Sequence, residues 1–365
     1  MVKIFSGRKI SCRIKRKSLW LAVAVVFLSC NGMLSAKKGG QIPDWPENED
    51  GKRLRVNGPL LEYGKGDDFT PVVLRGVNIG DLYHFKKFRI GPPDYAYIAD
   101  TMNANCVRIA VHPNLWKAEK TEVFDYLAQN VRNALDAGLF VIVDYHTIGF
   151  PNGYTQELDD EVISYDSTFK LARDFWGTVS MGIRDGRVLY ELWNEPVSEE
   201  FGRPAAMWKD LKPYWEKLTK IIRNNQNDCV ILAGGDYWTY ELRGIKDNLL
   251  QDANTAYTWH VYGNHDKNDP AMWEMRLDGL NEVRPVVVTE WGFSANPGEY
   301  EYALTQDFAD KFVSGFLMGK NLHSLAWGYD PFYRPSMLSD ENYAQFSGYG
   351  QYVVGYLRSS NQVRP

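Results

Sequence analysis

Two glutamates stand at the ends of apolar runs. Glu195 follows Leu192-Trp193-Asn194, and Glu290 follows Val286-Val287-Val288-Thr289. Two carboxyls facing across a cleft are the minimum equipment for hydrolysing a glycosidic bond. One protonates the departing oxygen; the other attacks the anomeric carbon or activates water. Their environments must differ, because the acid needs a raised pKa while its partner stays ionised. Arg108 and Tyr262 are candidates to hold Glu290 charged, by ion pairing and hydrogen bonding. Asn194, beside Glu195, is a candidate to bond the sugar 2-hydroxyl. Taken singly, each has an ordinary reading: a strand-end Glu is usually solvated, an Arg usually has a structural partner, His146 and His260 could be buried imidazoles, and Trp327 could be core. Their occurrence together at the ends of successive runs favours chemistry.

The elements that must position them are legible as periodicity. Apolar, β-branched runs occupy 72–78, 105–111, 139–145, 187–193, 229–234, 256–262, 285–290 and 322–327. Several are apolar throughout, as strands buried on both faces are. Amphipathic segments lie between them, among them 123–137, ended by Gly138, as well as 208–224 and 308–318. Eight alternations of strand and helix predict an α/β protein with a (β/α)8 barrel. A doubly wound sheet would call for a glycine-rich phosphate loop after the first strand, and none is there. Active-site groups of such a barrel come from the carboxyl ends of its strands. Those ends carry Asn78, Arg108, Asp144-Tyr145-His146, Asn194-Glu195-Pro196, His260-Val261-Tyr262, Glu290-Trp291 and Trp327. Before the barrel, Asn57-Gly58 between apolar runs predicts a β-hairpin, read as a lid under the barrel floor. The catalytic domain is thereby bounded at 51–357, followed by a loose polar tail, 358–365.

Composition narrows the partners. Lys3, Arg8, Lys9, Arg13, Lys15, Arg16 and Lys17 precede position 30 with no acidic residue among them, leaving 34 of the 41 basic residues to face all 46 acidic ones. An acidic body is a poor nucleic-acid binder, since phosphate contacts need clustered cations. The basic stretch and the apolar run 19–28 read as an export signal, too short for a membrane span. Leu28-Ser29-Cys30 resembles a bacterial lipobox, so 1–30 is expected to be a signal segment with lipidated Cys30 as membrane anchor, and 31–50 a tether. Cys106 and Cys229 fall in predicted strands and read as small apolar residues. No Cys or His cluster suggests a metal, no cofactor is implied, and a monomer is expected. Trp116 and Trp238, after the second and fifth strands, are further candidates for sugar-stacking surfaces.

Arg108, His146, Asn194-Glu195-Pro196, His260 with Tyr262, Glu290 and Trp327, in this order, resemble the pattern of glycoside hydrolase family 5, over roughly residues 50–357. The resemblance implies a retaining, cofactor-free hydrolase of a β-linked polysaccharide, most plainly an endo-β-1,4-glucanase. Glu195 would be acid/base and Glu290 nucleophile, with their carboxyls about 5–5.5 Å apart. Arg108, His260 and Tyr262 would support the nucleophile, His146 and Asn194 would bind the sugar, and Trp327 would stack beneath it. The loops 147–154 and 328–331 depart from the commonest endoglucanase pattern and bear on substrate choice. A β-mannanase or other β-glycanase, and a non-catalytic surface glycan-binding protein, are the alternatives; a phosphate-binding barrel lacks its glycine-rich loops here.

Overall fold

The computed structural model describes Trp45 and residues 50–151, 154–155, 168–197, 207–263, 268–294, 306–330, 332–340, 343–360 and 363–365. The expected export segment, Cys30 and nearly all of the expected tether lie outside the described residues.

The chain opens with an antiparallel sheet of β1 (Arg53–Asn57), β2 (Leu60–Lys65) and β3 (Asp68–Pro71). The expected hairpin is its first two strands; Gly58, at φ 56°, makes the turn in the left-handed region that glycine tolerates. The barrel follows: β4 (Arg75–Ile79), β5 (Cys106–Val111), β6 (Phe140–Tyr145), β9 (Val188–Glu191), β10 (Val230–Ala233), β11 (Thr255–Tyr262), β12 (Val286–Gly292) and β13 (His323–Ala326). All eight pair in parallel and in chain order, and β13 closes the ring on β4. The short β7 (Gly149–Phe150) and β8 (Tyr154–Thr155) pair within the loop after β6. Helices include α1 (Leu82–Lys87), α2 (Pro113–Asp136), α3 (Phe169–Gly182), α4 (Trp208–Asn224), α5 (Asp236–Thr239), α6 (Pro270–Leu277), α7 (Gln306–Phe308), which continues into the π-helical Ala309–Leu317, and α8 (Gly348–Arg358). Helix α4 has its expected bounds. Helix α2 starts ten residues before 123, across an irregular turn at Glu119, and stops before Gly138, whose φ is 74°.

Strand side chains alternate between two faces, and here the two faces feed two cores. Val107, Ile109, Val141, Val143, Tyr190 and Val288 pack outward against the helices. Cys106, Phe140, Ile142, Leu189, Leu232 and Leu325 point inward and fill the barrel floor, together with Leu54, Leu61 and Tyr63 of the N-terminal sheet. Tyr63 meets Phe140 edge-on with centroids 5.2 Å apart. This sheet therefore plugs one end of the barrel, leaving the other for polar groups.

Cys106 and Cys229 are free, buried thiols, in keeping with their reading as small apolar residues. One expectation changes. The tail expected to be loose is tied down where it is described: Asn105 Nδ2 donates to the Val363 carbonyl at 2.8 Å, and Arg364 pairs with Asp100 at 2.7 Å.

Candidate active site

Above the apolar floor the inward positions turn polar. Arg108, two residues beyond Cys106 on β5, lies at the centre with its side chain fully buried. A guanidinium has five N–H donors, and this one has five polar partners. Nε bonds Glu191. Nη1 bonds Asn78 Oδ1 at 2.9 Å and Glu290 Oε1 at 2.8 Å. Nη2 bonds Asn194 Oδ1 at 2.7 Å and faces Asp144 Oδ2 at 3.0 Å. The strands β4, β5, β6, β9 and β12 are thus joined at one group, together with the segment just after β9.

Glu290 reaches this layer through an irregularity. On β12 the register against β11 shifts so that Trp259 pairs with Val288 but His260 with Glu290. Thr289 is the extra residue. Strict alternation from Val287 would aim Thr289 inward and Glu290 outward; the bulge brings both to the lumen, as bulges beside active sites often do. Tyr262 OH then donates to Glu290 Oε2 at 2.7 Å, so each oxygen of this carboxylate has a donor.

Glu195 lies beyond the end of β9, its backbone N–H bonded to the Thr147 carbonyl at 3.0 Å. Its side chain is 13 % exposed against 5 % for Glu290, so it is the more open of the two to the cleft. His260 Nδ1 stands 2.9 Å from Glu195 Oε1 and 3.6 Å from Glu290 Oε2. The shorter contact is to Glu195, not to Glu290 as the family resemblance implied. One atom each of Glu195, His260 and Glu290 lie within 4.8 Å of one another.

The environments separate the acids. Burial lifts the Glu195 carboxyl above its ordinary range and the nearby Glu290 adds to this, while His260 pulls the other way. Burial also pushes Asp144 well up, against the pull of Arg108. Glu191 goes the opposite way: burial opposes its charge, but Arg108 and His260 outweigh that and hold it down to about 2. Thr258 and Thr289 hydroxyls each donate to its Oε1 at 2.9 Å. With its proton given to Glu191, Thr289 Oγ1 is left to accept from His260 Nε2, 3.1 Å away. Burial alone would lower the His260 pKa; Glu290 and the bonds to Glu191 and Glu195 raise it to about 10, so the ring is an imidazolium. Its Nδ1–H then occupies Glu195 Oε1 and leaves Oε2 open to carry a proton. Those three groups are also the one set among the described residues close enough to hold a metal ion, but a cation there would have to displace the Nδ1 proton from a ring already held positive.

The remaining candidates divide. Asn194 has its Oδ1 taken by Arg108, which turns its amide nitrogen away from the guanidinium. His146 Nδ1 lies 2.6 Å from Asp144 Oδ2, and burial, His112 and Arg108 keep this ring neutral. Trp327 stacks on His146 with planes 7° apart and centroids 5.4 Å apart. Trp238 is half-buried beside the segment that follows Glu195, its backbone N–H donating to the Pro196 carbonyl at 3.1 Å. Trp116 is not a sugar surface: it is fully buried in α2, with its indole on Asp174 at 3.0 Å and Phe175 packed at 4.8 Å. The sequence reading passed over Glu191, Thr258 and Thr289 and left Asn78 and Asp144 among strand ends without a role. Period-two alternation from Cys106, Ile142 and Leu189 would have placed Arg108, Asp144 and Glu191 in one layer.

A family model described as cellulase, glycosyl hydrolase family 5, matches residues 68–332. The chain belongs to glycosyl hydrolase family 5. Among its relatives, endoglucanase A of Butyrivibrio fibrisolvens is 28% identical over 264 residues, covering 68% of this chain and 53% of that protein. Endoglucanase A of Evansella cellulosilytica is 26% identical over 235 residues, 63% of this chain and 43% of the other. This family 5 chain spans about half the length of these curated relatives. In fold it is similar to the β-glucanase SdGluc5_26A of Saccharophagus degradans, with a TM-score of 0.74, 24% identity, and coverage of 84% of this chain and 93% of that one.

The lumen network yields a pH prediction. Glu191 is held near 2 in the fold against an ordinary value of 4.5. A depressed carboxyl contributes stability that is present above the unfolded pKa and lost as pH falls toward the folded one. Urea unfolding between pH 7 and pH 2 should therefore show stability falling below about pH 4.5. Glu191→Gln, which breaks a buried pair, should lose about 3–5 kcal/mol at pH 7 and show a flatter dependence below pH 4.5. An unchanged slope in the variant would remove Glu191 from the network.

Proposed function

We propose that this chain is an exported, retaining endo-β-glycanase acting on a β-1,4-glucan, with Glu195 as acid/base and Glu290 as nucleophile. The observation that carries the mechanism is the closeness of the two carboxyls. Inverting hydrolases keep theirs about 6.5–9.5 Å apart to admit a water, whereas retaining ones need about 5–5.5 Å. One oxygen of Glu195 and one of Glu290 lie within 4.8 Å of each other, which supports the retaining spacing. The names of the relatives, endoglucanase and β-glucanase, support glucan as substrate.

In the first step Glu290 Oε attacks the anomeric carbon and the Glu195 Oε2 proton passes to the departing oxygen. The C1–O bond to the leaving sugar breaks, and a glycosyl ester of Glu290 forms. The leaving sugar diffuses away, Glu195 takes a proton from an entering water, and the water oxygen attacks C1 to free Glu290. Two inversions return the β configuration. Arg108 and Tyr262 hold Glu290 in place, one on each oxygen. His260 orients Glu195. Asn194 Nδ2 faces the 2-hydroxyl, His146 binds the same sugar, and Trp327 supports its face. Export and anchoring through Cys30 rest on the basic, then apolar, then Leu-Ser-Cys order of residues 1–30.

Two measurements test this. The purified catalytic region should release reducing ends from carboxymethyl cellulose or soluble β-glucan. Glu290→Gln should lower that rate by several orders of magnitude. Glu195→Gln should lose as much on polymer, yet keep a fast first step on aryl cellobiosides whose leaving group needs no proton. Near-normal turnover by Glu290→Gln, or activity on mannan alone, would overturn the assignment. Expressed in full, the chain should partition with membranes, and Cys30→Ser should release it; unchanged membrane partition in that variant would sink the lipid anchor.

A further inference from the structure

The peptide unit that joins Asn194 to Glu195 is gripped at both ends. Its N–H, on Glu195, donates to the Thr147 carbonyl at 3.0 Å. Its carbonyl, on Asn194, accepts from Thr239 Oγ1 at 2.7 Å. The flanking groups are taken as well. Asn194 N–H donates to the Tyr145 carbonyl, the Glu195 carbonyl accepts from Gly149 N–H, and the Pro196 carbonyl accepts from Trp238 N–H, each at 3.1 Å. Proline has no N–H to place. Every main-chain polar group of Asn194-Glu195-Pro196 therefore has a partner. All but one of these bonds run from main chain to main chain, as almost any residues could make them. The exception is the bond from the Thr239 hydroxyl.

Thr239 reaches that carbonyl from an unusual backbone. Tyr237, Trp238 and Thr239 have φ of 60°, 53° and 60°, three successive residues in the left-handed region. Residues other than glycine visit this region singly, and a β-branched residue there is an outlier. The surrounding chain supplies the room and the anchors. A Cβ on Gly234 would come within 2.7 Å of Thr239 Cγ2 and 2.8 Å of its Oγ1, and one on Gly235 would collide with the Glu241 carbonyl oxygen. Beyond the turn, Tyr240 N–H donates to the Tyr237 carbonyl at 3.0 Å and Glu241 N–H to the Asp236 carbonyl at 3.1 Å. Trp259 Nε1 then holds the Tyr240 carbonyl at 2.9 Å. Thr239 itself is fully buried. Strain of this kind persists where the surroundings over-determine it, and it gathers at active sites. Here its effect is local: the Thr239 hydroxyl and the Trp238 N–H both land on the segment that carries Glu195.

We propose that Thr239 is a positioning residue for the acid/base. The left-handed turn drives its hydroxyl onto the Asn194 carbonyl and the Trp238 N–H onto the Pro196 carbonyl. Together they fix the backbone of Glu195, so that its carboxyl keeps the 2.9 Å contact with His260 and stays in place to protonate the departing oxygen. Thr239 touches no reacting atom; it acts through the peptide that carries Glu195. Glu290 is held by Arg108 and Tyr262, from other strands. Loss of the Thr239 bond therefore impairs proton donation more than nucleophilic attack. This rests on the assignment of Glu195 as acid/base.

The test measures kcat/KM, which reports the first step, for phenyl and 2,4-dinitrophenyl cellobiosides. Phenolate leaves poorly and needs the acid's proton; dinitrophenolate leaves without it. Thr239→Val keeps the branched shape and removes the donor. It should lower kcat/KM about tenfold for the phenyl substrate, part of what a general acid supplies, and less than about twofold for the dinitrophenyl one. Thr239→Ser keeps the donor and should restore the ratio of the two rates to that of the unsubstituted catalytic region. Thr239→Gly removes the donor and eases the left-handed φ. It carries the test if Thr239→Val does not fold, and the same fall in ratio is expected. An unchanged ratio in a folded variant would overturn the proposal. So would an equal loss on both substrates, which would leave Thr239 a role in the fold alone, or a ratio that Thr239→Ser fails to restore. An unchanged ratio in Glu195→Gln would strike the acid/base assignment itself, and is distinct from an indifferent Thr239 beside a responsive Glu195.

Discussion

The site depends on a buried guanidinium. A charge inside a barrel is costly unless paired and fully hydrogen-bonded, and Arg108 meets that demand only when every N–H has an acceptor. The acceptors come from Asn78, Asp144, Glu191, Asn194 and Glu290. Satisfying one residue therefore fixes the positions of five others, Glu290 among them. The arrangement also explains why the lumen changes character with height. Leu54, Leu61 and Tyr63 of the N-terminal sheet seal the lower end with apolar surface, so water cannot reach Arg108 from below. The low-dielectric floor strengthens the pairings above it.

Charge distribution among the carboxyls follows from which of them Arg108 and His260 can serve. Glu191 receives both cations and two hydroxyls and stays ionised. Asp144 shares Arg108 but is too deeply buried to benefit fully, and Glu195 is lifted by burial and by Glu290. Carboxyls of one kind are thus pushed in opposite directions within a few ångströms, Glu191 toward its charged form and Glu195 toward its protonated one. The imidazolium of His260 links the two levels: it anchors on Thr289 and Glu191 and presents Nδ1–H to Glu195, leaving one oxygen of the acid for the substrate.

Much of this was legible in the sequence, and the rest fails for identifiable reasons. Eight apolar runs with polar ends suffice for the barrel, because parallel strands buried on both faces cannot be mistaken for much else at that spacing. Glu195 and Glu290 stand out because each ends such a run. What could not be read is the bulge at Thr289, since register belongs to a pair of strands and not to one. Glu191 was hidden for a different reason: it sits inside an apolar run, where only the alternation shared with Leu189 reveals its direction. Trp116 was misread because its nearness to a strand end in sequence suggested the rim, whereas the chain turns into α2 at once and buries it against Phe175. The tail looked loose because its anchors, Asn105 and Asp100, lie far away in sequence.

The central claim is that the Arg108 network holds Glu290 close enough to Glu195 for a retaining, two-step mechanism. The most direct test is proton NMR of the anomeric signals during the first minutes of cellotetraose hydrolysis, before mutarotation mixes the products. The account requires the β-anomer to appear first and the α-anomer to grow only at the mutarotation rate. First appearance of the α-anomer would show that water attacks directly, and the proposed roles of Glu290 and of the network that holds it would both be wrong.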